Sequence, residues 1–146
     1  MSQKLLKNCL HVVNNDRGEI IALKFNILCV RDETTWIPTP TGWGIQIGVF
    51  RHRKGYSVRP HYHLREPRGR HIGCEALYVV RGKVRVKLFD EETREELGEL
   101  VLGPNDIIAM CSAHSLEVLE DAIAVEVKEG PYPGQLADKR YLGSTT

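Results

Sequence analysis

The sequence predicts an all-β chain folded as one sandwich or barrel domain. Three observations carry that prediction: some nine or ten short runs rich in β-branched and aromatic residues, Gly-, Pro- or Asn-containing turns between them, and almost no helical periodicity. The longest helical candidate, Glu91 to Leu97, reads equally well as a hairpin loop. With 146 residues, 42% hydrophobic and 27% charged, the chain has the size and composition of a single globular domain.

The elements follow in order. Leu10 to Val13 and Glu19 to Val30 flank the polar turn Asn14-Asn15-Asp16-Arg17-Gly18 and read as a hairpin, the N-terminal strands of 9–30. After the turn cluster Thr39-Pro40-Thr41-Gly42 comes the alternating run Gly44 to Phe50, in which Ile45, Ile47 and Val49 share one face. Arg51 has the same parity and is expected at the barrel mouth, where a guanidinium can clamp a carboxylate or phosphate. Tyr56 to His63 runs extended, and residues 64–71 form a polar loop. Ile72 to Val80 and Val84 to Phe89 make a hairpin around Arg81-Gly82-Lys83, and Leu97 to Leu102 and Ile107 to Met110 are further strands. His114 to Leu119 and Ala122 to Lys128 form the last pair. Alternation places Leu77, Val79, Val84, Val86, Leu88, Leu116 and Val118 in the core and Tyr78 outside it. The segment 130–146, with Pro131 and Pro133, is expected to lie as an arm over the domain or a neighbour.

Charge excludes some functions. Lys plus Arg number 20 against 19 Asp plus Glu, a net charge of +1, so no chain-wide field attracts nucleic acid. The apolar runs are too short for a membrane helix. Met1 to Asn8 lacks the features of a secretory signal, which makes the cytoplasm the expected location. The four cysteines, Cys9, Cys29, Cys74 and Cys111, form no C-x-x-C pair and read as thiols. Local charge is nevertheless segregated: between Arg51 and His71 seven Lys or Arg residues face the single acid Glu66, a candidate lid for an anionic ligand.

The chemistry sits in the histidines. His61 and His63 are two apart on an extended segment, so their imidazoles leave one face and can meet one ion. Glu75 follows on the next strand and His114 opens a later one. Three imidazoles and a carboxylate suit a divalent Zn, Fe, Mn, Ni or Co ion with coordination positions left open. His71 shares the parity of Glu75, four residues on, and is a candidate general acid or base.

The spacing resembles the cupins. Gly55, five residues, His61-Tyr62-His63, Glu75, six residues and Gly82 resemble the first cupin motif, and Gly103-Pro104-Asn105-Asp106-Ile107-Ile108 leading to His114 resembles the second. Eleven residues separate His63 from Glu75 where the family commonly has three or four, and Met110-Cys111-Ser112-Ala113 stands where a P-x-G turn is usual. The resemblance covers about residues 44–128. It implies a double-stranded β-helix, a jelly-roll-like barrel, with His61, His63, Glu75 and His114 holding the metal inside; strand parity adds Arg51 and His71 as catalytic candidates beside it. The expected function is binding of, or metal-assisted action on, a small anionic or hydroxylated, sugar- or carboxylate-like ligand. Metal-dependent isomerisation, epimerisation or dioxygenation are the reactions the resemblance brings, and a non-catalytic ligand- or sugar-binding module is the alternative. The expected partners are a small molecule and a second copy in a homodimer, with no nucleic acid or membrane.

Overall fold

A computed structural model describes residues 10–30, 32–64, 72–131 and 139–143. Strands β1 (Leu10–Asn14) and β2 (Ile20–Phe25) pair antiparallel across the predicted turn as a separate two-stranded sheet. A single 3-10 turn follows at Ile27–Cys29. All other strands belong to one curled antiparallel sheet: β3 (Thr34–Trp36), β4 (Ile45–His52), β5 (Ser57–Leu64), β6 (Ile72–Gly73), β7 (Glu75–Phe89), β8 (Glu96–Leu102), β9 (Ile107–Met110), β10 (Ala113–Glu129) and β11 (Lys139–Tyr141). Among the described residues no helix is long and apolar enough to cross a membrane.

The sheet curls because β10 changes neighbours along its length. Its first half runs between β5 and β7, with His114 opposite His61, and its second half between β4 and β7, with Ala122 opposite His52. The two expected hairpins at Arg81-Gly82-Lys83 and near Glu120 are instead bends in two long strands that pair with each other through three register shifts. Gly82 makes the bend possible. Its φ is +80°, and a Cβ there would strike the carbonyl oxygen of Asp121 on β10.

The barrel is filled from β4, β7 and β10. Phe50, Leu77, Val79, Val84, Val86, Leu116, Val118 and Ala124 are buried in one cluster, which includes all but Leu88 of the core expected from alternation, and Leu88 packs against it half-buried. Tyr78 lies on the outside, its hydroxyl donating to Asn105 Oδ1 at 3.0 Å. On β4 the parity is opposite to expectation: Phe50 enters the barrel, whereas Val49 packs outward against Val30 and Ile123. From Gln46 to His52 both faces of β4 are covered, so its alternation does not distinguish inside from outside.

The cysteines are a second correction. Cys74 and Cys111 are joined by a disulfide, and Cys29 is also disulfide-bonded. The first bond is a consequence of register: Glu75 pairs with Met110 where β7 meets β9, which brings the residues just before one and just after the other together.

Candidate metal centre

The curl that β10 imposes puts three histidines and a glutamate in one place. His61 and His63, alternate residues of β5, point to the same face, and His114 at the start of β10 lies directly across from His61. One ligand nitrogen from each of the three falls within 4.8 Å of the others. All three rings are buried, His61 being 1% and His114 2% exposed. Glu75 opens β7 and is also buried. Its two oxygens lie 2.9 Å from His63 Nε2 and 2.8 Å from His114 Nε2. The long insertion after His63 therefore does not set Glu75 back from the histidines, because pairing with Lys128 and Met110 on β10 and β9 positions it.

Local backbone decides which nitrogen is offered. His61 Nδ1 is 2.9 Å from the carbonyl oxygen of Arg59, and His114 Nδ1 is 2.9 Å from that of Ser112, so a ring with one proton carries it on Nδ1 and donates it to the carbonyl two residues earlier. Nε2 is then a lone pair pointing inward. Among the described residues, His61 Nε2 is buried without a hydrogen-bond partner. His114 Nε2 faces a carboxylate oxygen at 2.8 Å, an arrangement of two acceptors that calls for a proton or a cation between them. A divalent ion satisfies all of these atoms at once, and the donor set of imidazole and carboxylate suits Zn, Fe, Mn, Ni or Co.

Electrostatics agree. Burial, then the positive charge of Lys139, pushes the pKa of His61 down to about 3, so the ring is neutral and free to ligate. Burial pushes Glu75 upward, but close contacts with His114 and His63 outweigh it and hold the carboxyl well below its ordinary range. Burial, followed by the charge of Glu75, raises Glu126.

A cavity of about 400 Å³ opens beside these residues, walled on one side by Phe50, Leu77 and Leu116. Sequence reasoning missed three of its polar groups. Glu126 and Lys128 lie on its wall, and ligand oxygens of Glu126 and Glu75 fall within 4.8 Å of His63. Their signal was present: Ala122, Ala124, Glu126 and Lys128 alternate on β10, and the first two are core. Lys139 also lines the cavity, in a segment read only as an arm.

Arg51 is not part of this site. It lies on the outer face of β4, where Nη1 donates to the carbonyl oxygen of Val30 at 2.7 Å, and it lines a different cavity. Its expected place at the barrel mouth followed from the inverted parity of β4. His71 and the basic residues Arg65, Arg68 and Arg70 lie outside the described residues.

No family model matches the chain, and no curated protein is similar to it. Solved structures are. Oxalate decarboxylase from Bacillus subtilis superposes with a TM-score of 0.54 at 20% identity over 68% of this chain and 24% of its own. Oxalate oxidase gives 0.52 at 15% identity over 68% of this chain and 46% of its own, and procruciferin, an 11S globulin from Brassica napus, 0.50 at 11% over 61% and 22%. The chain thus spans about a quarter to a half of the length of these proteins. All three are cupins. With the curled sheet, the bent strands β7 and β10 and the inward histidines, the likeness identifies the fold of this chain as the cupin double-stranded β-helix.

Proposed function

We propose that the protein binds a divalent metal ion through His61, His63, Glu75 and His114 and uses it to hold a small anionic or hydroxylated ligand in the adjoining cavity. The observation that carries this reading is His61 Nε2, a buried lone pair without a partner in a ring whose other nitrogen is tied to Arg59. When bound, the ion supplies Lewis acidity that polarises a ligand oxygen, or O2 activation if it is Fe(II). The chain does the rest. The carbonyls of Arg59 and Ser112 fix the tautomers of His61 and His114, Phe50, Leu77 and Leu116 form an apolar wall against the ligand, and Lys128 Nζ, 3.8 Å from Glu126, adds a buried polar pair to the lining.

Two further readings, one of them against expectation, draw on the structure. Leu97, Leu100, Val101 and Ile107, left exposed by β8 and β9, favour a homodimer. The Cys74–Cys111 disulfide favours an oxidising compartment over the cytoplasm expected from the N-terminal sequence.

Elemental analysis by plasma mass spectrometry tests the central claim. Wild-type protein carries about one equivalent of a transition metal per chain, and a His61→Ala/His63→Ala variant with a wild-type circular dichroism spectrum carries none. Absence of metal from the wild type after incubation with each ion refutes it.

A further inference from the structure

The described C-terminal strand β11 forms a wall of the cavity. Its register sets Lys139 opposite His63, Arg140 opposite Tyr62 and Tyr141 opposite His61. Opposed residues of an antiparallel pair share a face, so Lys139 and Tyr141 point inward with the imidazoles and Arg140 points away. The strand is secured beyond its end by Leu142 N–H, which donates to the carbonyl oxygen of Pro60 at 2.9 Å. The Tyr141 ring stands 5.9 Å from the His61 ring.

Arg59 completes the wall. It precedes His61 by two residues and shares its face, and its guanidinium carbon lies 4.5 Å over the centre of the Tyr141 ring. This cation–π contact holds the guanidinium at the cavity wall and does not use up its N–H donors, which remain able to meet another group. The carboxylates of the cavity are already engaged, Glu75 with His63 and His114 and Glu126 with Lys128. Among the described residues neither Arg59 nor Lys139 forms an ion pair, although both line the cavity. Two cations outside any close ion pair among the described residues, Lys139 sensing Glu126 only through space and Arg59 lying over an aromatic ring, both beside a candidate metal centre, are an arrangement that recognises an anionic ligand.

We infer that Arg59, Lys139 and Tyr141 form an oxyanion subsite, which takes the carboxylate or phosphate of a small ligand while the rest of that ligand extends toward His61. The inference rests on the proposed function for the inner end of the ligand and deepens it by naming the outer end. The subsite itself needs no metal, so the two ideas fail separately.

Calorimetric titration of malonate and of inorganic phosphate, into metal-free and zinc-loaded protein, tests it. At least one of the two anions binds wild type with a Kd below roughly 10 mM. Lys139→Met and Arg59→Met each weaken that binding by about tenfold, Tyr141→Leu by less, and Arg140→Met, on the outward face, leaves it unchanged. Lys139→Gln and Arg59→Gln repeat the test should a methionine variant lose its wild-type circular dichroism spectrum. Preference for malonate or for phosphate assigns the ligand to organic carboxylates or to phosphate esters. Binding of neither anion to either form overturns the subsite, as does equal weakening by Arg140→Met, which marks a general effect of surface charge. Anion binding in a protein that takes up no metal removes the proposed function and leaves the subsite standing.

Discussion

Phe50 and Arg51 are neighbours on β4, yet they line two cavities that treat charge in opposite ways. The inner one, about 400 Å³, holds His61, Glu75, Glu126 and Lys128; the outer one, about 310 Å³, holds Asp32, Glu33, Arg51, His52, Arg53, Arg81 and Asp121. The outer cavity has the greater number of charged side chains. Its pairs are loose and wet: Glu33, 45% exposed, lies 3.6 Å from Arg53, 81% exposed, and 3.9 Å from His52. The inner cavity holds fewer groups, but Glu75 is 5% exposed and meets two imidazoles at 2.9 and 2.8 Å. Charge in water is screened and contributes little, whereas charge withdrawn from water is held only by organised partners. Density of charge therefore does not locate a site in this molecule; burial of groups that need a partner does.

The sharpest test of that contrast removes one carboxylate from each cavity. In metal-free protein Glu75→Ala leaves His63 and His114 facing each other without the group that joins them, and costs about 3–5 kcal/mol of stability. Glu33→Ala costs less than about 1 kcal/mol. Urea denaturation of the two variants beside wild type reads both, and equal losses break the distinction between the cavities.

The disulfide sharpens it next. Cys74 and Cys111 adjoin Glu75 and the turn before His114 and close a separation of 37 residues. They brace the inner cavity alone. Cys111→Ser removes about 4 kcal/mol by releasing that loop in the unfolded chain. It also lowers metal occupancy measured by plasma mass spectrometry, because Glu75 and His114 lose their common anchor. Unchanged occupancy together with unchanged stability shows that strand pairing alone holds the site.

How much of this was legible in the sequence depends on what each residue's neighbours along the chain reveal. The barrel and its core were readable on β7 and β10, where Leu77, Val79, Val84, Val86, Leu116 and Val118 alternate with polar residues against solvent. The His61–His63 pair was readable for the same reason, the interval from Glu75 to Gly82 supplied Glu75, and resemblance to the second cupin motif supplied His114. β4 misled because both of its faces are covered from Gln46 to His52, so Ile45, Ile47 and Val49 repeat as regularly as an inward face and carry Arg51 with them to the wrong side. The bends at Gly82 and Asp121 looked like hairpin turns, since a glycine with positive φ serves either purpose. The Cys74–Cys111 bond and the approach of Lys139 and Tyr141 depend on pairing between distant segments. No local pattern encodes that register.

His52 is where the two cavities meet, and it yields the smallest and most specific effect. Its ring stacks on Tyr56 of the inner wall at 3.6 Å and packs against Phe50, its Nε2 is 3.1 Å from Thr35 Oγ1, and Glu33 lies on its outer side at 3.9 Å. Burial lowers its pKa, against the opposing pull of Glu33. The folded chain thus keeps this imidazole neutral at pH values where the unfolded chain protonates it, near 6.5 and below. A depressed folded value means stability that is present above about pH 6.5 and declines as the pH falls, because the unfolded state binds the additional proton. His52→Gln takes no part in that titration. Urea midpoints between about pH 7 and pH 5 should fall less steeply for His52→Gln than for wild type, by less than about 1 kcal/mol per pH unit since the ring is only partly withdrawn from water. An identical slope means that His52 titrates as it does in the open chain, and the inner side of β4 then ends at Phe50 rather than at His52.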